Sequence, residues 1–276
     1  MSGSRLVVDD VTVQLGGVEI LRSVSFEVAP GESYGIIGPN GAGKTTVLNV
    51  ISGVVIPSRG RVMFGAHELT SKRPHRSRTY GIGRSLQTTA HFHDLTPLEL
   101  VSLSTLPNTV HGALRATGHR RRRPGGGAEA AFAALDQLGL AGVAHRRLGD
   151  LPNAVQKLVD LARSVLAGTD LLLLDEPTSG VSAQERGVIA KTLDRVREQG
   201  RTVVVIDHDP GFVTANCDRL MALNFGQVLK VASPREVMTD PVVKRSYLGE
   251  YDEEPIRSET TQPPSEGQPR LGQPGG

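Results

Sequence analysis

At 276 residues the chain has room for one large domain or two modest ones, and an apolar content of 38% is enough for a real core. A net charge of +2, no Trp and 4% aromatic residues leave little to attract a phosphate backbone or stack on bases, so nucleic acid is not the expected partner. No apolar run approaches the roughly 18 to 20 residues needed to cross a bilayer. Met1 to Asp10 carries acids where a signal peptide has its apolar core, and the single Cys217 cannot form an internal disulfide, which suits a reducing cytosol. Cys217 is read as a buried or incidental thiol rather than a reactive one.

In chain order, alternation in Val11 to Leu15 and in Val24 to Val28, with Gly16-Gly17 between, predicts short antiparallel strands that form a side sheet. Ser33 to Ile37 reads as a buried strand and Thr45 to Ile51 as a helix ending near Gly53. A strand over Arg61 to Phe64 follows the turn Pro57-Ser58-Arg59-Gly60. Thr96-Pro97-Leu98-Glu99 supplies an N-cap, a proline at the first helical position and a capping-box Glu, so a helix starts there. Further helices are expected from about Ala128 to Leu138 and Ala154 to Leu166. Between the first two lies His119-Arg120-Arg121-Arg122-Arg123-Pro124, followed by the breaker Gly125-Gly126-Gly127. The charge run is read as a solvated loop, with a phosphate or acidic-lipid contact as the alternative. Leu171 to Leu174 predicts a strand, Ser182-Ala183-Gln184-Glu185 opens a helix closed at Gly200, and Thr202 to Ile206 predicts another strand. Strand, helix, strand at this spacing means a parallel sheet. Leu220 to Leu223 and Gln227 to Val231 make a hairpin round Asn224-Phe225-Gly226, and from Asp252 onward the composition is that of a disordered tail, residues 252–276.

Gly38-Pro39-Asn40-Gly41-Ala42-Gly43-Lys44-Thr45 fits the phosphate-binding pattern G-x-x-x-x-G-K-[ST], set between the expected strand and helix. Its glycines let the backbone fold round a phosphate chain, with main-chain N–H groups and the helix start facing the negative charge. Lys44 is expected on the β and γ phosphates of a nucleoside triphosphate and Thr45 on Mg2+, with Thr46 next to it among the nucleotide-binding residues. Asp175 and Glu176 end a buried strand, where ligands of open parallel sheets collect. Asp175 is expected to hold Mg2+ and Glu176 to polarise a water for in-line attack on the γ phosphate. A second buried strand ends in Asp207-His208, which lets His208 reach the same edge. His91 and His93 have a metal-like spacing but no supporting Cys or acids, and both are read as surface residues.

The assembled order resembles the ATP-binding subunits of ATP-binding-cassette (ABC) transporters over Leu6 to Tyr251. The resemblance rests on the phosphate loop, Gln87 in Arg84-Ser85-Leu86-Gln87, Asp175-Glu176-Pro177, and His208 in Ile206-Asp207-His208-Asp209. Gly81-Ile82-Gly83-Arg84 and Tyr247-Leu248-Gly249-Glu250 are similar to the branch serving branched-chain amino-acid importers, a branch shared with importers of related solutes and a lipopolysaccharide exporter. The resemblance implies an α/β fold: a P-loop NTPase core with a parallel sheet, an antiparallel β side sheet and a helical subdomain. It would fill residues 1–251, with the helical part at about 90–168. It further implies that Gln87 touches Mg2+ and the attacking water, and that each ATP lies between the phosphate loop of one subunit and a signature segment of a second. Transmembrane permease subunits would be the other partners, at the cytoplasmic face of the membrane.

Three departures stand out. The signature, usually close to Leu-Ser-Gly-Gly-Gln, reads Leu151-Pro152-Asn153-Ala154-Val155. The acid of a Ser-x-Leu-Asp segment is replaced in Ser179-Gly180-Val181-Ser182, and Leu15 stands where an aromatic residue usually stacks on adenine. Residues that serve the chain's own ATP are kept apart from that stack, while those offered to a partner's ATP are altered. The expectation is an asymmetric heterodimer with one competent site. Its alternatives are a regulatory or structural nucleotide-binding subunit with little hydrolysis, and a soluble ABC ATPase outside transport.

Overall fold

The protein is described from a computed structural model over residues 4–70, 79–85, 92–105 and 125–248. Gln87, His91, the arginine run, Gly249-Glu250 and the tail lie outside these described residues.

β1 (Leu6–Leu15) and β2 (Val18–Val28) form an antiparallel ribbon closed by Gly16 and Gly17, both longer than the alternation alone predicts. β3 (Ser33–Ile37) leads through the phosphate-loop segment into α1 (Lys44–Ile51). β4 (Arg59–Phe64) pairs with β1 on one side and β5 (His67–Glu68) on the other, completing a four-stranded sheet in the order β2-β1-β4-β5. The expected turn at Arg59-Gly60 is already strand.

After β6 (Ile82–Arg84) come three mutually packed helices, α2 (Pro97–Leu103), α3 (Gly125–Gln137) and α4 (Asn153–Leu166). α2 carries the expected capping box: Thr96 Oγ1 accepts from the Glu99 N–H, and the Glu99 carboxylate accepts from the Thr96 N–H. α3 begins earlier than its residues suggest, because Gly125-Gly126-Gly127 form its first turn instead of breaking the chain. A reason is visible at Gly127, where a Cβ would lie 2.7 Å from Thr105 Oγ1 just past the end of α2. Close approach of two helix ends overrides the poor helix propensity of glycine.

β7 (Leu171–Asp175), α5 (Ala183–Glu198), β8 (Thr202–Ile206), α6 (Pro210–Asn216), β9 (Arg219–Asn224) and β10 (Gln227–Ala232) complete a six-stranded sheet in the order β10-β9-β3-β8-β7-β6. β9, β3, β8, β7 and β6 run parallel and β10 is antiparallel at the edge. α7 (Pro234–Thr239) and α8 (Pro241–Leu248) follow. The fold is therefore α/β, with a parallel core sheet, an antiparallel side sheet and a helical cluster.

Continuous apolar runs in β3, β7 and β8 reflect burial on both faces of a parallel sheet. Leu171 and Leu173 face one core, shared with α1 and the antiparallel sheet, while Leu172 and Leu174 face the other, shared with α4, α5 and α6. The two cores and the acids that bound the run, Asp170 and Asp175, fix the register of β7, since a one-residue slip would draw a carboxylate into the buried stretch. The acids at its end are thereby held at one position. Leu172→Ala is expected to cost about 2 to 5 kcal/mol of stability, read as a lower midpoint in urea at unchanged slope.

Candidate active site

The central strands end together, and their loops build the site. β3 delivers Gly38 with φ 154°, and a Cβ there would lie 2.1 Å from the Leu223 carbonyl oxygen, so only glycine admits the close approach of β9. Pro39, Asn40, Gly41 and Ala42 carry the loop round; Ala42 N donates to Pro39 O at 3.2 Å, and Gly226 N from the β9–β10 turn donates to Ala42 O at 3.0 Å. Gly43, at φ 102°, is the N-cap of α1 with no side-chain cap, so the start of that helix keeps main-chain donors for a ligand.

Lys44 is only 6% exposed and donates through Nζ to Gly38 O at 2.7 Å and Pro39 O at 2.9 Å, stretched along the inside of the loop. Burial lowers its pKa, and the charges of Glu176 and Asp175 oppose that shift. An ammonium held by neutral carbonyls beside a helix start without a side-chain cap is a seat for polyphosphate. ATP therefore fits the chemistry of this loop.

Asp175 closes β7 opposite Ile206. Its main-chain N–H donates to Ser85 Oγ at 3.1 Å, and its carboxylate lies 3.5 Å from an Arg84 guanidinium nitrogen. Burial raises its pKa, Arg84 lowers it, and Glu176 raises it again. Arg84 is anchored by Asn49 Oδ1 at 2.6 Å and Ser52 Oγ at 3.0 Å, both at α1. The sequence reading gave Arg84 no role in the site; the signal available was a guanidinium at the end of a strand next to the acid-bearing one. Thr45, in the first turn of α1, and Asp175 are oxygen donors of the hard type that Mg2+ takes.

Glu176 has φ 50°, an uncommon left-handed conformation for a residue with a Cβ. Its N–H extends the sheet ladder to Ile206 O at 2.8 Å, and its Oε1 lies 2.8 Å from His208 Nε2. The two strand-end residues expected at one edge are thus in contact. Asp207, buried between them in sequence, accepts from Thr178 Oγ1 at 2.7 Å, Thr178 N at 3.0 Å and Asp209 N at 3.0 Å, tying the loop after β7 to the loop after β8. Asp209 in turn caps α6 and pairs with Arg186.

The altered segments are also placed. Pro152 is the N-cap of α4, with ψ 147° and no side-chain hydrogen bond. It is exposed, as is Asn153, so this helix start offers neither a hydroxyl nor an N–H at position 152. Ser182, at the position of the expected acid, is the N-cap of α5 and exchanges hydrogen bonds with Glu185. Leu15 ends β1 opposite Val18 and is 49% exposed, an apolar side chain but not an aromatic plane. Thr46 lies within α1. His93 is exposed, as expected, and no cluster of metal-ligating side chains occurs among the described residues.

With the geometry in place, the comparisons identify the class. The family model described as ABC transporter matches residues 21–179, more than half of the chain, and the chain belongs to that family of ATP-binding, ATP-hydrolysing proteins. It is 29% identical to LivG of Escherichia coli K12, a high-affinity branched-chain amino acid transport ATP-binding protein, over 91% of this chain and 100% of that protein. BraF of Pseudomonas aeruginosa, described in the same terms, is 31% identical with the same coverage. Among solved structures, the ADP conformation of MJ1267, an ATP-binding cassette of an ABC transporter, superposes with a TM-score of 0.77 at 28% identity, covering 90% of this chain and 99% of that one.

Cys217 lies away from this chemistry. It is buried at the end of α6, and burial pushes its thiol up to about 12. The unfolded thiol ionises near 8.5, so its contribution to stability is intact below that pH and is lost as pH rises through the folded value. Thiol reagents at pH 8 are expected to label the native protein far more slowly than the urea-unfolded chain. Cys217→Ala should show a shallower loss of stability above pH 9 than the parent in parallel urea titrations.

Proposed function

We propose that this chain is the ATP-binding and hydrolysing subunit that powers passage of a small solute through separate transmembrane permease subunits at the cytoplasmic face of the membrane. Branched-chain amino acids are the proposed cargo, supported by the similarity to LivG and BraF. No described helix is long and apolar enough to cross a membrane, which supports a peripheral subunit that works with other chains.

In this reading Gly38 to Thr46 bind the phosphates of ATP through main-chain N–H groups and the Lys44 ammonium. Thr45 and Asp175 hold Mg2+ together with Gln87, and Leu15 lies against the adenine. Mg2+, when bound, neutralises charge developing on the β and γ phosphates. Glu176 orients the attacking water and takes its proton, while His208 holds the Glu176 carboxylate and contacts the γ phosphate. The single observation that carries the reading is the 2.8 Å contact between Glu176 and His208, made at the sheet edge that carries the phosphate loop.

The start of α4 supports the asymmetric part of the proposal. A segment meant to clasp a partner's ATP would donate hydrogen bonds there, and Pro152 donates none. Losing such a charge-assisted bond costs about 1.5 to 3 kcal/mol. The proposed assembly is therefore a heterodimer in which this chain's own ATP is paired with an intact signature from a second ATP-binding subunit. The same segment, with Leu15, favours the second reading: a nucleotide-binding regulatory subunit that hydrolyses little.

The test is purification from membranes through a tag on this chain. Permease subunits and a second ATP-binding subunit are expected to come with it, and Glu176→Gln should lower the assembly's ATP turnover by about 100-fold or more while ATP binding persists. The purified chain alone should be a poor ATPase. Brisk turnover by the chain alone, abolished in the same variant, would sink the heterodimer; turnover by the assembly that ignores the substitution would favour the regulatory reading.

A further inference from the structure

Helix α4 touches the sheet edge with two cations six residues apart, and each grips the main chain beside one of the two acids. Arg163 donates to the Arg84 carbonyl at 2.9 Å, next to the guanidinium that pairs with Asp175. Lys157 donates through Nζ to the Glu176 carbonyl at 3.1 Å and to the Ser179 carbonyl at 2.7 Å. The Arg163 grip is half-buried and is shared with the Asp160 carboxylate at 2.7 Å and Ser164 Oγ at 3.2 Å, as a packing contact would be. The Lys157 grip is different in kind.

Glu176 is held at three points. Its N–H is fixed by Ile206 on β8, its carboxylate by His208, and its carbonyl by Lys157. The first two contacts come from residues of β8 and the loop that follows it, and the third comes from the helical cluster. Its φ of 50° is a conformation that persists only where the surroundings over-determine it. Beyond Glu176 the loop is anchored at Thr178 by Asp207, and its other ties are long turn bonds, Ser179 N to Glu176 O and Val181 N to Thr178 O, each at 3.3 Å. The same ammonium thus closes the far end of the turn that begins at Glu176. Lys157 lies one turn into α4, past Ala154, Val155 and Gln156 from the exposed Pro152-Asn153 start.

We propose that Lys157 is a positioning residue for Glu176, a clamp through which the placement of the α4 start sets the backbone angle, and hence the carboxylate, over this chain's own ATP. This rests on the reading of Glu176 as the group that orients the water. A displacement of the α4 start by whatever it meets across an interface pulls on two carbonyls of the loop that carries Glu176. The altered segment at Pro152 then keeps a use: it donates nothing to a partner's nucleotide, yet its position is still felt at Glu176.

Two measurements test the clamp. In the full-length chain, hydrogen–deuterium exchange of the segment 176–182 should speed up in Lys157→Met, while exchange in β7 and β8 and the thermal midpoint stay as in the parent. Unchanged exchange at 176–182 would overturn the proposal without any reference to ATPase activity. In the membrane-purified assembly, Lys157→Met should lower kcat by about tenfold or more with the KM for ATP within about twofold, since a small misplacement of a reacting group is costly in kcat. Lys157→Arg, which keeps the charge, should recover most of it. Added to Glu176→Gln, Lys157→Met should cause no further loss, because it acts only through that carboxylate. A full additional loss in the double variant, or a rise in KM at constant kcat, would overturn the clamp. An assembly with altered exchange but no ATPase activity in the parent would leave the clamp standing and instead refute the hydrolytic reading of the site.

Discussion

The last rung of the β7–β8 ladder, Asp175 opposite Ile206, is the constraint on which the site depends. One further main-chain bond, from Glu176 N to Ile206 O, carries the pairing past the end of β7 and turns the chain into a left-handed residue. The Glu176 side chain is thereby swung to the side on which β8 presents His208. A one-residue slip of β7 would draw Asp170 or Asp175 into the stretch that Leu171 to Leu174 fill between the two hydrophobic cores, so this rung is guarded by the cost of burying a charge there. Precision at an exposed edge is obtained from packing far below it.

Charge is handled in the same way. Two carboxylates and a lysine share a partly buried corner, and burial opposes the charged forms of Lys44 and Asp175 alike. Arg84 offsets part of that cost for Asp175 and is itself tied to Asn49 and Ser52, so α1, β6 and β7 meet at one guanidinium. Asp207, hydrogen-bonded on both carboxylate oxygens, takes no outward part and instead joins the loops that follow β7 and β8.

Much of this was legible in the residues. The phosphate loop, the acid pair and His208 stand at strand ends that apolar runs mark plainly, and the capping boxes at Thr96 and Ser182 form as their spacing requires. What escaped depends on contacts between elements remote in sequence. Arg84 meets Asp175 across 91 positions, and Lys157 reaches the carbonyls of Glu176 and Ser179. A cation bonded to carbonyl oxygens leaves no pattern, because every residue has one. The glycine run that opens α3 hides its helix for a related reason: propensity is local, while the nearness of Thr105 to Gly127 is not.

That nearness has a consequence for how the family can vary. Thr105 and Gly127 stand side by side, so the chain between residues 105 and 127 leaves and returns at almost the same point. Each doubling of the length of a flexible connection between fixed, adjacent ends costs only about 0.6 kcal/mol. With Thr105 and Gly127 held side by side, a change in the length of whatever joins them is expected to cost the rest of the molecule little. The two helix ends, not the sequence that joins them, are what the packing has to keep in place.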